Sequence, residues 1–158
     1  MKKRTLSLFL AIVLTLSLCA CGDKSEAAQA PDLGAFYETL FTGSDAPAMM
    51  ALDDDLLESL YPGLTDIPRA QTVAYTAAIS SIPAEVVLIE VENDSDVSKV
   101  GEILRARISY QADEHGAWYP ETIEGWQNHS EIITEGRCIA LFVADNKDAM
   151  VESFRAQF

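Results

Sequence analysis

The chain has 158 residues, with 25 Asp and Glu against 11 Lys and Arg and a net charge of −14. That length suits one domain plus a targeting segment. A surface this acidic is repelled by nucleic acid and by anionic lipid headgroups, which excludes nucleic acid as a partner.

The first residues carry Lys2, Lys3 and Arg4, and Leu6 to Leu18 then run without a charge. A spanning helix needs ~20 apolar residues, so this run is too short to cross a bilayer. A basic start, a short apolar core and small residues after it describe a secretory signal rather than a buried helix. The run ends Leu18-Cys19-Ala20-Cys21, which resembles the lipobox of bacterial lipoproteins, with Leu at −3, a small residue at −1 and Cys at +1. The resemblance implies that Cys21 receives a diacylglyceryl thioether and becomes the first residue, while Cys19 leaves with the leader. Two acyl chains are enough for stable attachment. The expected organisation is a signal peptide over 1–20, a lipidated cysteine and tether over 21–31, and one domain over 32–158. The expected location is the extracytoplasmic face of the bacterial cell membrane, with the membrane engaged through the lipid on Cys21.

Removing residues 1–20 takes three basic residues and no acidic one, so the net charge falls from −14 to −17. The lipid must hold such a domain at the membrane against its own charge. Cationic partners (basic proteins, polyamines, divalent ions) are electrostatically favoured; the simpler reading of the charge is solubility. Cys138 is the thiol that remains after processing, and its apolar setting, RCIALFVAD, marks it as a core residue rather than a nucleophile.

Residues 22–31 are small and polar and read as a flexible tether, reaching at most ~35 Å. Leu33, Phe36, Tyr37, Leu40 and Phe41 then share one helical face, with Pro31-Asp32 at the helix start. A second helix follows in LDDDLLESLYPGL, with Leu56, Leu57 and Leu60 apolar and Pro62-Gly63 as the stop. From residue 70 the period changes to two. QTVAYTAAIS alternates, and Glu85 to Val91 is a nearly continuous apolar run, like a central strand. Asn93-Asp94-Ser95-Asp96 supplies helix caps for a stripe of Val97, Val100, Leu104 and Ile108. Pro120 opens a short helix over 120–128. EIITEGRCIALFVAD reads as a hairpin turning near Glu135-Gly136. The last helix is expected from Asp145, with Asp148 as a partial capping partner and Met150, Phe154 and Phe158 as its stripe.

Strand–strand–helix thus occurs twice, over 71–111 and 130–158, preceded by two short helices. The expectation is an α+β fold: one antiparallel four-stranded sheet with helices packed mainly on one face.

No spacing in the chain builds a recognised active site. Asp53-Asp54-Asp55 could ligate a divalent ion, but an N-cap and first-turn acids explain it better. The Asn93–Asp96 run fails the calcium-loop pattern, which needs glycine at position six and glutamate at twelve. His115 and His129, with Glu114, Glu121, Glu124 and Glu131 nearby, offer a conceivable metal site; solvated loop histidines are the alternative. No cofactor is expected. Trp118, Tyr119 and Trp126 fall in the segment with the weakest core periodicity. They could form an interaction surface or pin the short helix to the sheet.

Three blocks, LDDDLLESLYPGL, EVVLIEVENDSDVSKVGEILRARI and YPETIEGWQNHSEIITEGRCIALFVAD, lie in order behind the lipobox. Together they resemble a family of Gram-positive bacterial lipoproteins classed as domain of unknown function 4358. Cys138 departs from that pattern, where an aromatic such as tyrosine is expected. The resemblance implies an extracytoplasmic lipoprotein and brings no catalytic residues. The functional expectation is a non-catalytic binding or interaction module meeting a protein or cell-wall partner. The alternatives are a metal-dependent or other enzyme using His115, His129 and nearby glutamates, and a purely structural envelope protein.

Overall fold

The computed structural model describes residues 30–41, 46–113 and 116–158. The leader, Cys21 and the tether up to residue 29 lie outside the described residues, as do Glu114 and His115.

Five strands form one sheet: β1 (Met49–Ala51), β2 (Arg69–Ala77), β3 (Glu85–Val91), β4 (Ser130–Glu135) and β5 (Cys138–Val143). Their order is β1-β2-β3-β5-β4, and all neighbours are antiparallel. The helices are α1 (Leu33–Leu40), α2 (Asp54–Leu60), α3 (Val97–Gln111), α4 (Pro120–Asn128) and α5 (Lys147–Arg155). The α+β class, the antiparallel sheet and the repeated strand–strand–helix order stand. The sheet has five strands rather than the expected four. The additional one, β1, is three residues long and pairs Met49–Ala51 with Tyr75–Ala77. Three residues are too few to show an alternating pattern.

The expectation of helices mainly on one face is overturned. Every residue of β3 and β5 is buried, which requires cover on both sides. On one face Val87, Ile89, Val91, Ile139 and Leu141 pack with Leu57 of α2, Val100 and Leu104 of α3, and Trp126 of α4. On the other, Val86, Leu88, Ala140 and Phe142 pack with Leu33 and Phe36 of α1 and Met150 and Phe154 of α5. Strands buried on both faces read as continuous apolar runs rather than alternating ones. EVVLIEV and CIALFV have that character. Because α3 and α5 lie on opposite faces, no rotation that exchanges β3 with antiparallel β5 superposes the two strand–strand–helix units.

Local chemistry places the helix ends. Asp32 Oδ1 accepts from Ala35 N at 3.0 Å and Asp53 Oδ1 from Leu56 N at 2.9 Å, capping α1 and α2 as expected. Asp54 and Asp55 occupy the first turn of α2, where the helix dipole favours them. Two expected caps are not made. A 3₁₀ turn, Asp94–Asp96, precedes α3, and Asn93 Nδ2 donates to Asp96 Oδ2 at 3.1 Å instead of capping. Helix α5 starts at Lys147, with Asn146 rather than Asp145 in the N-cap position and no side-chain cap; Asp145 lies against His129. The β4–β5 hairpin closes in two residues, with Gly136 at φ 57°, a positive φ that such turns require.

On the α1/α5 face, the Phe154 ring meets Phe36, Phe142 and Phe158 edge-on at 5.6, 6.1 and 5.2 Å. Cys138 is buried there, and burial, then the Glu90 charge, push its thiol up to about 11. It is a core residue, as its sequence setting indicates.

Candidate functional site

Two glutamates stand inside the buried strand β3, and they point to opposite faces. Glu85 shares the face of Val87 and Ile89, beneath α2, α3 and α4. Helix α3 carries Arg107 on the same stripe as Val100 and Leu104, all buried. The stripe therefore delivers a cation to the carboxylate. Arg107 Nε donates to Glu85 Oε1 at 3.0 Å and Nη2 to Oε2 at 2.9 Å, a bidentate pair. Tyr61, just past α2, donates its hydroxyl to Glu85 Oε1 in a short hydrogen bond. The guanidinium lies 5.2 Å from the Trp126 ring centroid and 5.8 Å from that of Tyr61. Desolvated contacts of this kind are worth about 2 kcal/mol.

Burial opposes the Arg107 charge, but its hydrogen bonds to Glu85 and that carboxylate's charge outweigh the penalty and raise its pKa. Burial and the Glu85 charge push the Tyr61 hydroxyl well above its ordinary range, so it stays a donor. Glu85 is completely buried, and two groups, Arg107 and Tyr61, donate three hydrogen bonds to its carboxylate.

Glu85, Arg107 and Trp126 form the floor of a groove of about 370 Å³ between α2 on one side and α3 and α4 on the other. Met50, Leu52, Leu56 and Leu60 form one wall, the end of the β2–β3 hairpin the base, and Ala117, Trp118 and Tyr119 the opposite lip. Trp118 is 96% exposed and Tyr119 53% exposed. Among the described residues, eight large hydrophobic side chains stay exposed, and five of them, Met50, Leu56, Ile82, Trp118 and Tyr119, line this one groove. Exposed apolar groups gathered around a concavity mark contact sites more often than scattered ones do.

The lip is held firmly. Thr122 Oγ1 of α4 donates to Ser81 O at the hairpin tip at 2.9 Å. Gly125 lies so close to Pro83 that an added Cβ would stand 2.3 Å from its Cγ. Gln127 Nε2 donates to Ala112 O at 2.9 Å, tying α4 to the end of α3.

The three aromatic residues singled out from the sequence therefore separate. Trp118 and Tyr119 are at the mouth. Trp126, grouped with them as an interaction surface, is only 4% exposed and belongs to the core beneath Arg107. His129 ends α4, with Nδ1 2.6 Å from Asp145 Oδ1. His115 and Glu114 lie outside the described residues, and among the described residues no group of three or more His, Cys, Asp or Glu could hold a metal ion. Glu85, Arg107 and Tyr61 were not singled out by motif. Their signal was an arginine on an apolar helical stripe, which demands a buried acid.

The second glutamate, Glu90, serves the opposite face at the other end of β3. Its Oε2 accepts from Gln71 Nε2 at 2.8 Å and its Oε1 from Arg137 Nη2 at 3.1 Å. Gln71 Nε2 also donates to Pro31 O, and its Oε1 accepts from Leu33 N, both at 3.0 Å. This cluster clamps the start of α1.

A family model described as a domain of unknown function (DUF4358) matches residues 42–144. The chain belongs to the DUF4358 family. The matched range takes in all five strands and α2, α3 and α4, and so every groove residue named above; α1 and α5, which cover the opposite face, fall outside it. No curated protein and no solved structure matches the chain. Among the described residues, no helix is long and apolar enough to cross a membrane.

Proposed function

We propose that this DUF4358 protein is a non-catalytic binding module at the outer face of a bacterial cell membrane, anchored through a lipid on Cys21. In this reading it receives a partner in the groove between α2 and α4. The observation that carries the binding role is Trp118, an almost fully exposed indole at the mouth of a groove that also gathers Met50, Leu56, Ile82 and Tyr119. Leaving such surface in water forgoes about 25 cal/mol per Å² of burial, which a partner would recover. The floor supports binding over proton transfer, since Arg107 and Tyr61 already engage the Glu85 carboxylate. The anchor rests on the basic, apolar, lipobox-like order of the first 21 residues. A metal-dependent reading would have to recruit His129 away from Asp145.

The test is photo-crosslinking in cells, with a reactive amino acid placed at position 118 and, as control, at exposed Lys99. A specific adduct from position 118 and none from position 99 is the expected outcome. Equal adducts, or none from 118, would remove the groove from consideration. In parallel, Cys21→Ala should abolish acyl labelling and release the protein from the membrane fraction; unchanged labelling would refute the anchor.

A further inference from the structure

We infer that the groove takes a cationic polypeptide segment of a partner protein, inserting an apolar side chain between Leu56 and Trp118. The inference rests on the binding-module reading and specifies its partner. Three stretches frame the groove: 46–68 with β1 and α2, 70–98 with the β2–β3 hairpin, and 108–136 with the lip and α4. None of them contains a lysine or an arginine. Among the described residues, Arg107 is the one basic side chain lining the groove, and its charge is matched by Glu85.

Exposed acidic residues adjoin two of the groove's lining segments in sequence. The N-cap and first turn of α2 set Asp53, Asp54 and Asp55 immediately before Leu56, and α4 sets Glu121 two residues after Tyr119; all four acids are exposed. A wall of Met50, Leu52 and Leu56 offers little hydrogen bonding to a sugar, and the acidic rim repels an anionic glycan or lipid headgroup. An apolar anchor flanked by Lys or Arg satisfies both the wall and the rim. At about 370 Å³ the groove lies near the small end of ligand cavities, a size suited to an anchor side chain rather than a long acyl chain. Among the described residues, no strand pairs with the outer edge of β1. β1 ends the strand order and pairs with β2 alone, with Met50 in the groove wall. An extended segment beside β1 would place alternate side chains on the groove side.

The experiment selects random dodecapeptides from a display library on the full chain held in neutral lipid nanodiscs, with Trp118→Ala and Leu56→Glu chains selected in parallel. Peptides pairing an aliphatic or aromatic residue with flanking Lys or Arg should be enriched on the native chain. The best of them, made synthetically, should bind at least about tenfold more weakly to Trp118→Ala, and its Glu-for-Lys counterpart at least about tenfold more weakly to the native chain. Affinity should fall as salt is raised. Enrichment without a basic bias, or binding indifferent to Trp118 and Leu56, overturns the inference. Failure of peptides alongside Trp118-dependent binding of cell-wall fragments overturns it too, while the binding-module reading survives. Loss of both kinds of binding defeats both. Circular dichroism of each variant confirms that the fold is intact.

Discussion

Strand β3 buries one glutamate toward each face, and the two are used differently. Glu85 is met inside the protein by a bidentate arginine, itself set against the Trp126 ring, and by a tyrosine hydroxyl. Glu90 is met by Gln71 and by Arg137, which is 45% exposed. The first cluster is complete and forms the floor of a groove; the second is partly solvated and holds the backbone where α1 begins. A buried charge is costly to lose in proportion to how little water can replace its partner. The contrast therefore predicts a floor that fails severely when broken and a clamp that yields mildly.

The largest effect is expected at Arg107. Arg107→Met leaves Glu85 buried without its cation and should cost about 3–5 kcal/mol in urea unfolding. Adding Glu85→Leu should recover most of that loss, because an apolar pair of similar volume replaces the ions. If the double variant is as unstable as the single one, the floor is held by packing alone. Trp126→Ala should fall in the same range, about 3–5 kcal/mol.

A smaller effect belongs to the clamp. Glu90→Ala removes one acceptor from Gln71 and Arg137 and should cost about 1–3 kcal/mol. The Leu33 amide should exchange faster with solvent, while amides of α4 keep their protection. Equal loosening of both regions would erase the contrast.

Alkaline titration reaches both faces. Burial raises the Cys138 thiol from 9.0 to about 11, and burial with Tyr75 and Glu38 raises Tyr37 from 10.0 to about 12. Tyr61, on the groove face, is raised as well. In each case the unfolded chain loses its proton first, so it binds fewer protons than the folded one and stability falls as pH rises. Thermal melts should be insensitive to these groups below about pH 9 and decline through 9–11 from Cys138 and 10–12 from Tyr37. Cys138→Ala should delete the first part of that decline. The smallest effect is expected at the mouth: Trp118→Ala should leave unfolding within about 0.5 kcal/mol of the native chain, in contrast to Trp126→Ala.

Hydrophobic periodicity located four of the helices and four of the strands, because amphipathic stripes such as Leu33/Phe36/Tyr37 and Met150/Phe154 are local signals; the fifth helix, α4, was legible from Pro120 instead. The layering was harder to read. Two hairpins suggested a sheet with one covered face, yet the absence of alternation in EVVLIEV and CIALFV already argued for two. Capping motifs behaved as expected at Asp32 and Asp53, whose backbone is extended, and not in Asn93–Asp96, where a 3₁₀ turn intervenes and leaves Asp96 helical before α3. Trp118 and Trp126 look alike in sequence; the turn of α4 against Pro83 sends one inward and leaves the other at the mouth. Glu85 and Arg107 lie 22 positions apart. They meet only because α3 crosses back over the sheet.

The clamp at Pro31 and the groove sit at opposite ends of β2 and on opposite faces, with Gln71 and Thr76 marking the two ends. With the protein tethered through Cys21 as proposed, a partner pulling on the groove would load β2 along its length. Because Gln71 and Thr76 belong to one strand, that load would run along the covalent backbone of β2 rather than across its hydrogen-bonded ladder. Tension would leave the sheet through Gln71 without crossing α4. The grip on a partner and the attachment to the membrane could then be strained together without either one opening the other.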